Sequence, residues 1–314
     1  MSAQESDVGE LTGENLVFII GCPRSGTTWL QRLLATHPQV KTGQESRVFE
    51  YIDAQSRLWR QDLASVAIGR GGVGLACYFT GQEFLAVQKQ YLRLLLAPML
   101  DELKPGQVFL EKTPSHALFV PEIIKFLPQA KFIHVVRDPR DVAASLLAAS
   151  RSWGRKWAPR KAGKAVRRWW QHVSAAQAAA LPETQYQEIR YEILHREPAT
   201  VLRSLSQFLK LSWEDNEILS AIEANMAEEL RQGRGTSIPL GGEHGKNSHG
   251  TVQEPEGFVR KARPGVWRKD LTRLERWRVW WELRNIGPAW KKYAWECPEV
   301  TQAAERRLKG PGLQ

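Results

Sequence analysis

Nine residues, Gly21 to Trp29 (GCPRSGTTW), concentrate groups that could hold an anion. If a helix starts here, the backbone N–H groups of Ser25, Gly26, Thr27 and Thr28 converge on one point. Thr27 and Thr28 add hydroxyl donors, Arg24 adds a permanent charge at the lip, and Gly26 lets the backbone approach a ligand closely. Gly21, four residues, Gly26 and then two threonines follow the spacing of a phosphate-binding loop, G-x-x-x-x-G-K-[ST], with the lysine missing. Nucleoside triphosphate enzymes set that lysine on the β/γ-phosphates and hold Mg²⁺ with the next hydroxyl. A second stretch, HVVRDPRDVAAS (134–145), offers Arg137 and Ser145 to a further phosphate. Read alone, the same stretch is an exposed loop with ion pairs among Arg137, Asp138, Arg140 and Asp141.

These groups need elements to position them. The apolar run Leu16 to Ile20 predicts a buried strand, and Thr28 to His37, with Leu30, Leu33 and Leu34 on one side, predicts the helix after the loop. Gln107 to Leu110, Lys131 to Val136 and Gln185 to Tyr191 read as further strands. His116 to Phe126, a helix starting by Val142, Pro198 to Leu209, and Leu271 to Tyr293 with a break at Pro288 read as helices. Strands alternating with helices predict an α/β fold with a central parallel sheet flanked by helices. Ligands of such sheets gather at the strand C-termini, where both loops fall.

The chain of 314 residues is long enough for a substantial core. Residues 1–15 read as a mobile N-terminal tail and 16–314 as a single domain, with a flexible, lid-like segment near 232–257 that is rich in Gly, Ser, Asn and His. Residues 151–168 read as irregular and basic. A net charge of +10 suits an anionic ligand. Cys22, Cys77 and Cys297 form no C-x-x-C pair or disulfide framework. With a polar, acidic start and no apolar run long enough to span a membrane, they fit the cytoplasm. Trp277, Trp280 and Trp281 fall at helical spacing and read as packing residues.

Taken together, PRSGTTW after a strand and FIHVVRDPRDVAAS resemble the sulfotransferase family that uses 3′-phosphoadenosine 5′-phosphosulfate (PAPS). The resemblance implies a P-loop NTPase-like sulfotransferase fold. It places the 5′-phosphosulfate on Arg24, Ser25, Gly26, Thr27 and Thr28, with Trp29 lining the nucleotide pocket and the 3′-phosphate on Arg137 and Ser145. RYEILHREP resembles the family's Y-E-x-L…P segment and sets Tyr191 near the nucleotide. FVRKARPGVW resembles R-K-G-x-x-G and brings Arg260 and Lys261 to the 3′-phosphate, departing at Ala262, where the family has Gly. A sulfuryl group carries fewer ionisable oxygens than a terminal phosphoryl group, so backbone donors and a cation can serve without a metal.

Arg24, together with THPQVKTGQESRVF and LEKTP, is similar to the tyrosylprotein sulfotransferases and related bacterial enzymes. On that register Glu45 is the general base, Arg47 the arginine after it, and Lys112 an active-site lysine; His116 is a second candidate base. The implied reaction moves a sulfuryl group from PAPS to a hydroxyl-bearing acceptor, an alcohol, phenol or sugar. Residues 47–84 and the 232–257 segment are candidate acceptor walls. Two other readings stay open. A nucleoside or nucleotide kinase would draw its metal-binding acid from Asp138 or Asp141. A nucleic-acid-binding module would use the charge and aromatics but would leave both loops unexplained.

Overall fold

The computed structural model describes residues 11–67, 72–239, 255, 257–259 and 262–295. Five strands, β1 (Leu16–Gly21), β2 (Val40–Thr42), β3 (Val108–Glu111), β4 (Lys131–Val136) and β5 (Tyr186–Arg190), form one sheet in the order β2-β3-β1-β4-β5. Every neighbouring pair is parallel. Strands covered on both faces need apolar side chains on both, which is why LVFII reads as an unbroken apolar run and KFIHVV as an apolar run interrupted, after its leading lysine, only by His134.

The helices are α1 (Thr27–Leu34), α2 (Val48–Ala67), α3 (Gly81–Leu100), α4 (Val120–Phe126), α5 (Pro139–Arg151), α6 (Ala162–Ala178), α7 (Tyr191–Arg196), α8 (Pro198–Leu209), α9 (Asp215–Ala224) and α10 (Ala227–Arg231), then Trp267–Asp270 and Arg273–Ile286. Val17 and Ile19 of β1 and Ile133 and Val135 of β4 pack with α1 and α8 on one face. Leu16, Phe18 and Ile20 meet α2, α3 and α4 on the other. Val136 joins α5, α6 and the last helix in a third cluster. The chain thus leaves β1 into a helix on one face and β4 into a helix on the opposite face. The crevice between these two neighbouring strands is the topological switch point, where open parallel sheets bind ligands.

Several boundaries differ from the sequence reading. Residues 11–15 are held rather than free: Leu11 packs in the core, and the carbonyls of Thr12 and Asn15 accept from Gln129 and Phe109. Helix α1 stops at Leu34, and His37 turns out to donate from Nε2 to the Ser212 carbonyl at 2.9 Å. The helix expected over 116–126 is a 3₁₀ turn, Pro114–Leu118, followed by α4. The supposedly irregular 151–168 stretch contains the start of α6 at Ala162. No helix among the described residues is long and apolar enough to cross a membrane.

Candidate active site

The β1–α1 loop closes as a tight turn, with the Ser25 N–H donating to the Cys22 carbonyl at 3.0 Å. Its turn places Arg24 at φ 78° and Gly26 at φ 100°, both in the left-handed region. Gly26 is required twice over there: a Cβ would sit 2.4 Å from Cδ2 of Tyr191. Gly26 caps α1 without a side-chain cap, so the first N–H groups of the helix open onto a cavity of about 1230 Å³. Gly26, Thr27 and Thr28 line that cavity.

The two loops meet there. Arg24 donates from Nε to Ser145 Oγ at 3.1 Å and from a terminal nitrogen to the Phe258 carbonyl at 2.6 Å, with its guanidinium against the rings of Trp153 and Phe258. Arg137, at the end of β4, lies 4.2 Å over the Tyr191 ring and donates to the Arg263 carbonyl at 3.1 Å. Trp29 meets Tyr191 edge-on and donates from its indole to the Asn225 carbonyl. Asp141 anchors the returning 262–267 segment, accepting from the N–H of Gly265 at 2.7 Å and of Trp267 at 2.9 Å. Two buried polar atoms in this neighbourhood, Ser25 Oγ and Arg137 Nε, have no hydrogen-bond partner. A buried donor is costly to leave unmade, so both atoms fit an oxyanion ligand between the loops. Ala262, in the position that departs from glycine, has φ 48°. Arg260 and Lys261 lie outside the described residues, as does most of the 232–257 stretch.

On the other side of the cavity, Glu45 stands with its side chain 47% exposed and pairs through Oε1 with Nζ of the buried Lys112 at 2.5 Å. The segment that carries Glu45 is tied to the donor loop by α1. Gln31 donates to Thr42 Oγ1 at 2.8 Å and to the Gly43 carbonyl at 2.9 Å. From below it is held by Glu111 at the end of β3. Ser46 and Thr113 donate to Glu111 Oε1, at 2.8 and 2.6 Å for their hydroxyls, and His116 Nδ1 donates to Oε2 at 2.9 Å. Burial works against the Glu111 charge, but His116, Thr113 and Ser46 outweigh it and hold the carboxyl down at about 2. His116 is fully buried, its second nitrogen accepts from the Phe49 N–H, and it does not line the cavity. The structure therefore brings Glu45 and Lys112 together and keeps His116 apart from them.

Other lining residues were not named one by one in the sequence, although Glu50 falls in the 47–84 stretch read there as an acceptor wall. Glu50 is paired with Arg47 and accepts from Ser115 at 2.8 Å. Burial opposes its charge, yet these partners keep it below the ordinary carboxylate range. Lys156, Trp157, Arg168 and His172 come from the 151–178 region, and Ile222, Met226 and Leu230 from α9 to α10. His195 lies beside Tyr191 and Trp29, its basicity lowered first by burial and then by Arg137. Against Glu45 and Glu50 the lining sets Arg24, Arg32, Arg47, Arg137, Lys156 and Arg168, an excess that favours anionic ligands. Spacing in the sequence could not reveal these helix-borne side chains, because helix rotation decides which of them face inward.

Comparison with known proteins agrees with this arrangement. Residues 16–215 match the family model described as "Sulfotransferase family". Protein-tyrosine sulfotransferase 1 of Danio rerio is 28% identical over 212 residues, covering 64% of this chain and 54% of that protein. The Drosophila melanogaster protein-tyrosine sulfotransferase is 26% identical over 204 residues, covering 64% and 39%. The chain thus spans about half the length, or less, of these curated relatives. Among solved structures, the sulfotransferase domain of the Synechococcus olefin synthase superposes with a TM-score of 0.53 at 18% identity, covering 95% of this chain and 100% of that one. A mouse sulfotransferase complexed with PAP gives 0.54 at 16% identity, covering 91% and 94%. At such identities the structural likeness speaks for the fold, while the match over 16–215 includes β1 through β5 and the loops after β1 and β4: this chain belongs to the sulfotransferase family.

Proposed function

We propose that the chain transfers a sulfuryl group from PAPS to a hydroxyl acceptor by in-line displacement. The observation that carries this reading is the meeting of the Arg24–Thr28 loop with Arg137 and Ser145 at one crevice, where Ser25 Oγ and Arg137 Nε are buried and unpartnered. The α1 N-terminus and Arg24 would hold the 5′-phosphosulfate, and Arg137 with Ser145 the 3′-phosphate. Trp29, Tyr191 and His195 would line the nucleoside. The PAP bound in the mouse neighbour supports the same donor.

Glu45 accepts the proton of the acceptor hydroxyl through Oε2, since Oε1 is held by Lys112. The acceptor oxygen bonds to sulfur as the bond from sulfur to the phosphate oxygen breaks. Lys112 and Arg24 face the charge that gathers on the leaving phosphate. The relatives' names make a tyrosyl hydroxyl one acceptor to try; other phenols, alcohols and sugars share the chemistry.

The kinase alternative draws no support from the acids after β4. Asp138 is buried in a paired set of bonds with Arg140 and accepts from the Trp295 N–H, and Asp141 is committed to Gly265 and Trp267. Calorimetry with adenosine 3′,5′-bisphosphate, ATP and single-stranded DNA separates the readings, with binding expected for the bisphosphate alone. Preference for ATP or DNA would overturn the proposal. An acceptor screen with labelled PAPS, read by mass spectrometry, then identifies the substrate.

A further inference from the structure

The Arg273–Ile286 helix (RLERWRVWWELRNI) turns one edge to the protein. Val279 and Leu283 are buried in the cluster that contains Trp169. Its two acids reach sideways, Glu275 to Arg151 and Glu282 to Arg167 at 2.9 Å. At 3.6 residues per turn the opposite edge carries Leu274, Trp277 and Trp281. These are 56%, 55% and 50% exposed, and Trp280 beside them is 50% exposed. The sequence reading of the three tryptophans as packing residues is therefore corrected. Arg273, Arg276, Arg278 and Arg284 are exposed around the ridge. Because both acids are engaged by arginines from other segments, these four leave a net positive face on a chain already at +10.

We propose that this face docks on the surface of an anionic lipid bilayer, with the helix lying in the plane of the headgroups. A ridge of Leu and Trp flanked by arginines is the composition of an interfacial helix. The rings and the aliphatic side chain enter the acyl boundary while the guanidinium groups reach the lipid phosphates. Indole suits that boundary because it is apolar over its body and carries one N–H donor. Single-stranded nucleic acid fits less well, since it needs a groove and free ring faces for stacking. Here Trp277 and Trp281 stack on each other at 5.8 Å and Arg284 lies over Trp280, on the outer side of a helix. Helix α6 packs against this helix and lends Arg168, Gln171 and His172 to the cavity wall, so docking would hold the cavity about one helix diameter from lipid.

Flotation of the full chain with phosphatidylcholine vesicles, with and without phosphatidylserine, tests this. The protein is expected to float with the phosphatidylserine vesicles at low salt, to be released at high salt as the charges are screened, and to stay behind with phosphatidylcholine alone. Trp277→Ser with Trp281→Ser, and separately Arg276→Ser with Arg278→Ser, should each lower partitioning by roughly tenfold. Arg276→Lys with Arg278→Lys should retain it. All these side chains are exposed, and circular dichroism checks that the variants fold. Three results would overturn the proposal: flotation unchanged by the tryptophan pair, Trp-dependent capture of oligothymidylate in place of vesicles, or a dimer in sedimentation that the tryptophan pair dissolves. None of them depends on whether the cavity transfers sulfuryl groups.

Discussion

A group that takes a proton from an acceptor must reach it, and that requirement separates Glu45 from His116. Glu45 lines the cavity beside Lys112; His116 is enclosed by Phe18 and Phe49 with both nitrogens engaged. Glu45→Gln keeps shape and hydrogen bonding while removing the basic oxygen. Turnover should fall by about 10²–10⁴ with the affinity for adenosine 3′,5′-bisphosphate unchanged. Near-normal turnover in a folded Glu45→Gln protein would remove it from the base role. His116→Ala should instead lower stability, by roughly 1–3 kcal/mol, because it leaves the buried Glu111 Oε2 without its hydrogen-bond donor. Thermal melts of that variant check this. Arg137→Ala should weaken bisphosphate binding by about tenfold or more in calorimetry, from the loss of charge-assisted hydrogen bonds. That the two loops meet was legible in the sequence because Arg24, Ser25 and Arg137 follow closely on apolar strands, and a parallel sheet brings its strand ends to one edge. The burial of His116, the second candidate base, was not legible, because closeness to LEKTP in sequence says nothing about the aromatic shell that folds over it.

Elements were legible where one pattern dominates. Lys131–Val136 and Pro198–Leu209 match their expected bounds because a short, mostly apolar β-branched run and a Pro-started amphipathic helix have few competing structures. Helices α2 and α3 were passed over as elements: their charged residues are interspersed among the apolar ones, and α2 buries only Val48, Phe49 and Ile52 along its 20 residues. The Arg273–Ile286 helix was found, but its rotation was not. The side ties of Glu275 and Glu282 fix Val279 and Leu283 inward and the tryptophans outward. One element-scale feature is a testable strain. The segment that Asp141 pins carries Ala262 at φ 48°, a conformation that disfavours a Cβ. Ala262→Gly should raise stability by about 1 kcal/mol, since relief of the left-handed strain exceeds the added entropy of the unfolded chain. Denaturant titration measures it, and a lower midpoint would show that the conformation is not strained.

At the scale of the whole molecule, stability couples to pH through imidazoles folded into the layer between β4, β5 and α6. His134 is wholly buried beside the Tyr186 hydroxyl. Burial, with His172 and Lys292 nearby, lowers its basicity to about 3. His172 donates from Nδ1 to the Arg168 carbonyl and is lowered by burial to about 4. Both are neutral in the fold and would take up protons near their ordinary value of 6.5 once unfolded. The sign follows from that difference: between the folded and unfolded values the unfolded chain binds more protons, so stability is full above pH 6.5 and is lost as the pH falls. Around pH 5 the two groups together should release the fold from stability at roughly 3 kcal/mol per pH unit, with uptake of about two protons on unfolding. Glu111, held at about 2 against 4.5 unfolded, adds a further loss only below pH 4.5. The net charge of +10 works in the same direction by self-repulsion. Calorimetric melts from pH 7 to pH 4, repeated in buffers of different ionisation enthalpy, read both the slope and the proton count. A melting temperature that holds constant from pH 6.5 to 4.5 without proton uptake would mean that these imidazoles are charged, or solvated, within the fold.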